Sequence, residues 1–458
     1  MIENIINTFR NCFKIPELKS RIFFTLIVLA IARVVSMVPV PGLDGAALSA
    51  YFDKQQDGGG LLGMYSMFTG GALERCAIGA LGIMPYISAT IILQLLTAVL
   101  PQLSKLAREE GGRAKIIQYG RYMTVVLCLG QAFFTAIGWE NPEILAPGIG
   151  KSLVLYENLW WYRIQTAILI TTGTMLLMWL GEQITERGIG NGVSLIISVG
   201  ILARLPRAVQ AFADMFKNIE STGPQIVVFK TVVLFALLLI VVAGVIAITQ
   251  AQRKVAVQYA QRMVGRKTVG GQTSYLPLRL NFTGVMPIIF AGAILMLPQQ
   301  LLKFAGTKFE GSKIFQQLAE LFQERSVFYM AVYALLILFF SYFWVATQFN
   351  EIQIADDLKK YGGYIPGVRP GQATADFLHN AMSRITLAGA VFMIVIAILP
   401  TVLNRWMNVD YNIGAFFGGT SVLILVGVML DTMRQMESHL LMRHYDGFLK
   451  KGRLKGRF

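Results

Sequence analysis

Charge is what this chain has least of. Only 15% of its 458 residues are Asp, Glu, Lys or Arg, where a soluble globular protein carries about 25%, and 55% are hydrophobic. A chain of this length cannot cover a water-facing surface with so few charges, which excludes a soluble enzyme and a disordered tail protein. Its three cysteines, Cys12, Cys76 and Cys128, are scattered and odd in number. They form neither a metal-ligand spacing nor a disulfide framework. The three histidines, His379, His439 and His444, all lie in polar segments, so no catalytic or metal set is expected at membrane depth. No Gly-x4-Gly-Lys-Ser/Thr loop occurs, so a nucleotide site is not expected. Neither a cofactor nor an enzymatic activity is called for.

What the chain has instead is long uncharged runs. A helix needs about 20 apolar residues to cross a bilayer. Such stretches recur at 76–100, 122–138, 164–181, 188–203, 231–252, 280–302, 326–350, 385–404 and 411–430, and a tenth, 22–39, is interrupted only by Arg33. Backbone in lipid must satisfy its own hydrogen bonds, so these spans are expected as helices. The first twenty residues hold Glu3, Arg10, Lys14, Glu17 and Lys19 and read as an amphipathic segment rather than a cleavable signal.

The few charges are biased in sign and place. The 41 Lys and Arg outnumber the 26 Asp and Glu, and alternate loops starting from the N-terminus hold 27 of the basic residues against 13 in the other set. The positive-inside rule then puts both termini in the cytoplasm, as an even number of spans requires. Acids are absent from 188 to 213 and from 250 to 309. Loop 251–279, with Arg253, Lys254, Arg262, Arg266, Lys267 and Arg279, suits anionic lipid, acidic protein or RNA phosphates. Its residues 253–263 are expected as a helical arm. Loop 351–384 carries a different signature, Tyr361 to Gly371, in which Pro and Gly hold turns on either side of a single Arg369.

Inside the spans, irregularities repeat. Gly82-Ile83-Met84-Pro85-Tyr86-Ile87 in span 2 is echoed by Gly284-Val285-Met286-Pro287-Ile288-Ile289 in span 7, and Gly192–Ile197 in span 5 by Gly419–Ile424 in span 10. Spans 2 and 7 hold equal ranks in two five-span halves, and five is odd, so the halves are inverted. Gly/Pro-interrupted segments at matching places in inverted repeats point to the working site of a transport protein. Ile83 and Ile87 share one helix face, as do Val193 and Ile197. Residues 58–73, GGGLLGMYSMFTGGAL, are too short to span. They suit either an external loop with an apolar patch or a re-entrant helix beside a cavity. Transporters and pumps keep ionisable groups at depth, whereas nine of these ten stretches have none. That weighs against a small-solute transporter and against an intramembrane enzyme.

At these residues the chain resembles the SecY family, the channel subunits of the bacterial protein translocase. The resemblance covers nearly the whole chain and is carried by PVPGLD (39–44), MFTGGALERCAIGALGIMPYISATIILQLL (67–96), GEQITERGIGNGVSLII (181–197), LPLRLNFTGVMPIIFA (276–291), YIPGVRPGQAT (364–374) and FGGTSVLILVGVMLD (417–431). It implies an all-α polytopic membrane protein, with ten transmembrane helices in two inverted five-helix halves around a central pore and a re-entrant plug helix. The expected divisions are a cytoplasmic segment 1–21, a first half 22–203 with the plug at 61–73, an external linker 204–230, a second half 231–430 with cytoplasmic loops 251–279 and 351–384, and a basic tail 431–458.

Matching motif to motif, the resemblance places a ring of aliphatic side chains at Ile83, Ile87, Val193, Ile197, Ile289 and Ile424. Val193 stands where the family commonly has Ile. The plug would comprise Leu61, Leu62, Met64, Tyr65, Met67 and Phe68. Pro85, Gln94, Thr124, Asn281 and Pro287 correspond to a lateral gate, where Pro85 and Pro287 would let spans 2 and 7 bend. Arg253, Lys254, Arg262, Arg266, Lys267 and Arg369 correspond to the surface that meets cytosolic partners. The partners implied are the small membrane subunits SecE and SecG, the motor ATPase SecA, the ribosome with its rRNA, signal peptides and nascent polypeptides, and anionic lipids. The implied activity is the passage of unfolded secretory chains across the cytoplasmic membrane, with lateral release of hydrophobic segments.

Overall fold

The computed structural model describes residues 15–54, 66, 68–109, 111–140, 153–217, 224–259, 262–264, 267–269, 273–292, 326–407 and 420–451, together with positions 294, 295, 298, 302, 317, 318, 321, 322 and 413. The chain divides into two compact units. One is Met1–Lys217 with Asp410–Ile413 and Ile424–Phe458; the other is Asn218–Val409 with Gly414–Leu423.

The first unit contains α1 (Pro16–Val35), α2 (Gly45–Lys54), α3 (Met84–Val99), α4 (Pro101–Arg108), α5 (Gly112–Glu140), α6 (Leu159–Arg187), α7 (Gly192–Leu202) and α8 (Leu205–Lys217). Local chemistry starts and stops them. Asn158 and Asn191 accept backbone N–H groups in the first turns of α6 and α7, as helix N-caps do. Asp44 takes the amides of Ala46 and Ala47 at the head of α2. Helix α6 is the hub: Leu177, Leu180 and Ile184 pack with Val28, Leu29, Ala32 and Val35 of α1 in one buried cluster. An Arg121–Glu182 pair, at 2.7 Å, ties α5 to α6, and Arg163–Glu140, at 2.8 Å, ties the same two helices elsewhere along their length.

The second unit contains α9 (Pro224–Gln250), the strands β1 (Gln252–Tyr259), β2 (Arg262–Val264), β3 (Lys267–Val269) and β4 (Thr273–Arg279), then α10 (Val327–Gln348), α11 (Glu351–Lys360), β5 (Gly363–Tyr364) and α12 (Gln372–Met407). Helix α13 (Thr420–Lys451) closes the chain; within the first unit its Gln435 accepts the Gly190 amide at 2.8 Å.

Helix falls on each of the ten apolar stretches. Among the described residues, six helical stretches are long and apolar enough to cross a membrane, one of them α7 running on into α8 and another α10 running on into α11, and α3 with α4 makes a seventh as a pair bent by 104°. Two expectations need correction. Residues 253–263 are not a helical arm: β1 pairs antiparallel with β4 over Gln252↔Arg279 to Gln258↔Thr273, and β2 with β3. The reason is a period of two from Lys254 to Gln258, with Val255 and Val257 buried, Ala256 half-buried and Lys254 and Gln258 exposed, which a helix cannot bury on one face. The span expected at 76–100 is helical only from Met84. Its 16 residues rise about 24 Å, less than a bilayer core, and residues 76–83 supply the rest as turns.

Candidate functional site

The two echoing motifs adopt the same local geometry. Gly82 has φ +57° and Gly284 φ +62°, the left-handed region that favours glycine. In each case helix begins two residues later, at Met84 and at 286. Pro85 and Pro287 therefore sit in a first turn, where the missing N–H is not needed, rather than in a helix interior. The expectation that they bend gate helices by removing an internal hydrogen bond is corrected: they start helices. Pro85 and Pro287 are both buried, and Phe290, one turn on, stacks edge-to-face on Phe340 and Trp344 of α10.

Of the six ring positions, Ile83, Ile87, Ile197, Ile289 and Ile424 are each at most 5% exposed, and Val193 is half-buried. Ile83 and Val193 approach the same point of α6: a methyl built on Gly181 would lie 3.5 Å from Ile83 Cδ1 and 3.6 Å from Val193 Cγ2. Ile83, Ile87, Val193, Ile197 and Ile424 belong to the first unit and Ile289 to the second.

Of the plug positions, Phe68 is described and 8% exposed; Leu61, Leu62, Met64, Tyr65 and Met67 lie outside the described residues. Phe68 and Ile83 line one small cavity of about 20 Å³ together with Arg33, Thr69, Gly82 and Ile196, room for about one water. Arg33, the lone charge in the first span, donates to the Gly70 carbonyl from both Nη atoms, at 3.2 and 3.3 Å. Gly70 has φ +66°, and an added Cβ would meet Gly200 Cα at 2.9 Å, so backbone packs directly on backbone there.

The gate positions diverge. Gln94 is exposed and Asn281 half-buried, with its Oδ1 accepting from Thr283 at 3.4 Å. Thr124 is fully buried and gives its hydroxyl proton to the Gly120 carbonyl within its own helix at 2.7 Å.

Three of the basic positions, Arg253, Lys254 and Arg369, belong to one three-stranded platform or the loop beside it, and two others to a separate two-stranded ribbon. Strand β1 is central in a sheet ordered β4-β1-β5, which joins loop 251–279 to loop 351–384 through Gln258↔Tyr364. Val255, Val257, Leu278, Ile365, Leu378 and Met382 form its apolar floor. Arg253 and Lys254 project from β1, and Arg369 stands exposed between Gly367 (φ +84°) and Gly371 (φ +105°). Its carbonyl accepts the Thr374 hydroxyl at 2.9 Å, which fixes the turn. Arg262 and Lys267 lie on the β2–β3 ribbon; Arg266 lies outside the described residues.

One cluster escaped sequence reasoning. Glu74 is 2% exposed and pairs with Arg204 and Arg207, while the Ser66 hydroxyl donates to the same carboxylate. The signal was present: two arginines stand in a stretch with no acid of its own. Among the described residues no group of His, Cys, Asp and Glu is arranged to hold a metal.

A model of the SecY family matches residues 77–433. The chain belongs to the SecY family. It is 42% identical to the protein translocase subunit SecY of Chlamydia trachomatis, over 98% of this chain and 99% of that one. With the subunit of the same name from Thermotoga maritima it shares 41% identity over 98% and 99%. Among solved structures it is similar to one described as a protein conducting channel, with TM-score 0.59 at 17% identity over 92% of both chains. Another, on the SecY plug domain that stabilises the closed state of the translocation channel, matches with TM-score 0.61 at 19% identity and the same coverage. Those likenesses establish the fold, an all-α polytopic membrane protein. Like the rest of the SecY family, the chain is not an enzyme.

Proposed function

We propose that this multi-pass membrane protein, a polypeptide-translocating channel, passes unfolded secretory chains across the cytoplasmic membrane and releases hydrophobic segments into the bilayer. The observation that supports the reading is that Phe68, in the segment read as the plug, and Ile83, read as a ring residue, line the same small cavity. A client chain has arbitrary sequence, so its path cannot use specific charges. Branched alkyl groups offer weak, non-directional contact and a dry collar against ions. Ile83, Ile87, Val193, Ile197, Ile289 and Ile424 are that collar, residues 61–73 are the plug, and Pro85, Gln94, Asn281 and Pro287 are gate positions. A client segment of about 20 apolar residues leaves sideways because lipid favours it over water.

The energy comes from outside the chain. Arg253, Lys254, Arg262, Arg266, Lys267 and Arg369 form the docking surface for the motor SecA and for the ribosome, including rRNA phosphates, and the basic segments meet anionic lipids. The ribosome is favoured as a partner by the likeness in fold to Sec61 in a ribosome–channel complex, with TM-score 0.55. Both termini lie in the cytoplasm, and SecE and SecG complete the channel. A small-solute transporter is disfavoured because Arg33, the charge within span 1, is engaged with a backbone carbonyl.

The test is reconstitution of the full chain with its companion subunits in vesicles, supplied with motor, ATP and a secretory precursor. Protease-protected precursor inside the vesicles is expected. A precursor that stays fully digestible under conditions where the motor binds would end this reading.

A further inference from the structure

The buried cluster around Glu74 has no part in the ring, the gate or the docking platform. Ser66 and Glu74 bracket the end of the plug segment. Arg204 sits in the two-residue turn between α7 and α8, and Arg207 in the first turn of α8. The Glu74 carboxylate accepts from Arg204 through one oxygen and Arg207 through the other, and Ser66 bridges Arg204 and Glu74. Four residues earlier, Arg33 of α1 holds the Gly70 carbonyl, and Gly200 of α7 closes on the same turn. The segment is thus fastened to three elements of one unit.

Burial pushes the Glu74 carboxyl up, but Arg204, Arg207 and the Ser66 hydroxyl outweigh it and hold it below the usual carboxylate range. Partners of a buried ion pair stay together because separating them leaves an uncompensated charge out of water. Such a cluster resists small displacements yet comes apart in one step once water reaches it.

We propose that Glu74, with Ser66, Arg204 and Arg207, is a latch that holds Ser66 and residues 68–74 on the α7–α8 junction and sets the threshold for moving the plug. The inference rests on reading 61–73 as the plug, and the experiment separates the two. The full-length channel is placed in planar bilayers and its idle ion conductance measured. Glu74→Gln removes the charge but keeps the shape and is expected to raise the open fraction on the order of tenfold. Arg204→Glu with Arg207→Glu does the same, and adding Glu74→Arg to that pair restores the closed state. Deletion of 61–68 serves as the control for the plug itself.

A second readout guards against misfolding. Thr69, 4% exposed, is replaced by cysteine and challenged with a membrane-impermeant maleimide, which is expected to react in the Glu74→Gln background and not in the parent. If the deletion leaks while Glu74→Gln conducts and labels like the parent, the latch is wrong and the plug stands. A charge-swapped triple variant that leaks like the double variant also counts against the latch. If the deletion does not leak, the plug reading falls and the latch with it.

Discussion

The surroundings of Ile83 and Ile197 in the first unit and the sheet platform in the second use the same apolar side chains in different settings. Around Ile83 and Ile197 the aliphatic groups are buried, and Arg33, which lines the same small cavity as Ile83, donates to the Gly70 carbonyl. On the platform, Val255, Val257 and Leu378 are equally buried, while Arg253 and Lys254 of the same strand, and Arg369 in the loop beside it, are exposed. In the reading proposed above, burial in the first place is the working surface. In the other it is a floor that holds charges in register. A seal for chains of any sequence must lack directional groups, whereas a dock for particular partners needs them.

The comparison breaks hardest at the floor. Leu378→Asp puts an unpaired carboxylate into a fully buried site and should cost about 3–5 kcal/mol. Faster proteolytic cutting within 251–279 and loss of motor binding are expected; an unchanged digestion pattern would show that the sheet does not depend on that floor. Next in size, Arg369→Glu should lower ATP-driven export about tenfold while the melting temperature holds, because the side chain is exposed. Export at the parental rate in reconstituted vesicles would remove Arg369 from the dock. Ile87→Ser, in the ring, should raise idle conductance severalfold with little effect on export, since a hydroxyl lets water wet the collar; silence in a planar bilayer would argue against the ring. The smallest effect belongs to Thr124→Val, whose hydroxyl only bonds its own helix. Its stability should change by less than about 1 kcal/mol and the hydrophobicity needed for lateral release not at all, whereas exposed Gln94→Leu should shift that requirement. Equal shifts from the two would restore Thr124 to the gate.

Much of this was legible because two of the signals are one-dimensional. Long uncharged runs mark helices wherever lipid is the solvent, and all ten stretches carry helix. The Gly82/Pro85 and Gly284/Pro287 echo is a local backbone device, and both copies take positive φ followed by a helix start. The misreadings have equally physical causes. Residues 253–263 are short and mixed in character; the alternation of Val255 and Val257 was outweighed by a basic composition that suits either structure. Pro85 was read as a kink because hydropathy does not show where within an apolar run the helix begins.

Composition and hydropathy by themselves determined that this is a polytopic helical membrane protein whose apolar stretches carry almost no charge, because those properties add along the chain and need no partner; the motif phrases added the likeness to the SecY family. Only the tertiary structure decided that the Thr124 hydroxyl bonds within its own helix, that two distant loops share one sheet, and that Glu74 meets Arg204 and Arg207 across 130 and 133 positions. Such pairings depend on which surfaces the fold brings together and dries, and a charge's partner is chosen by that proximity rather than by its neighbours in the chain.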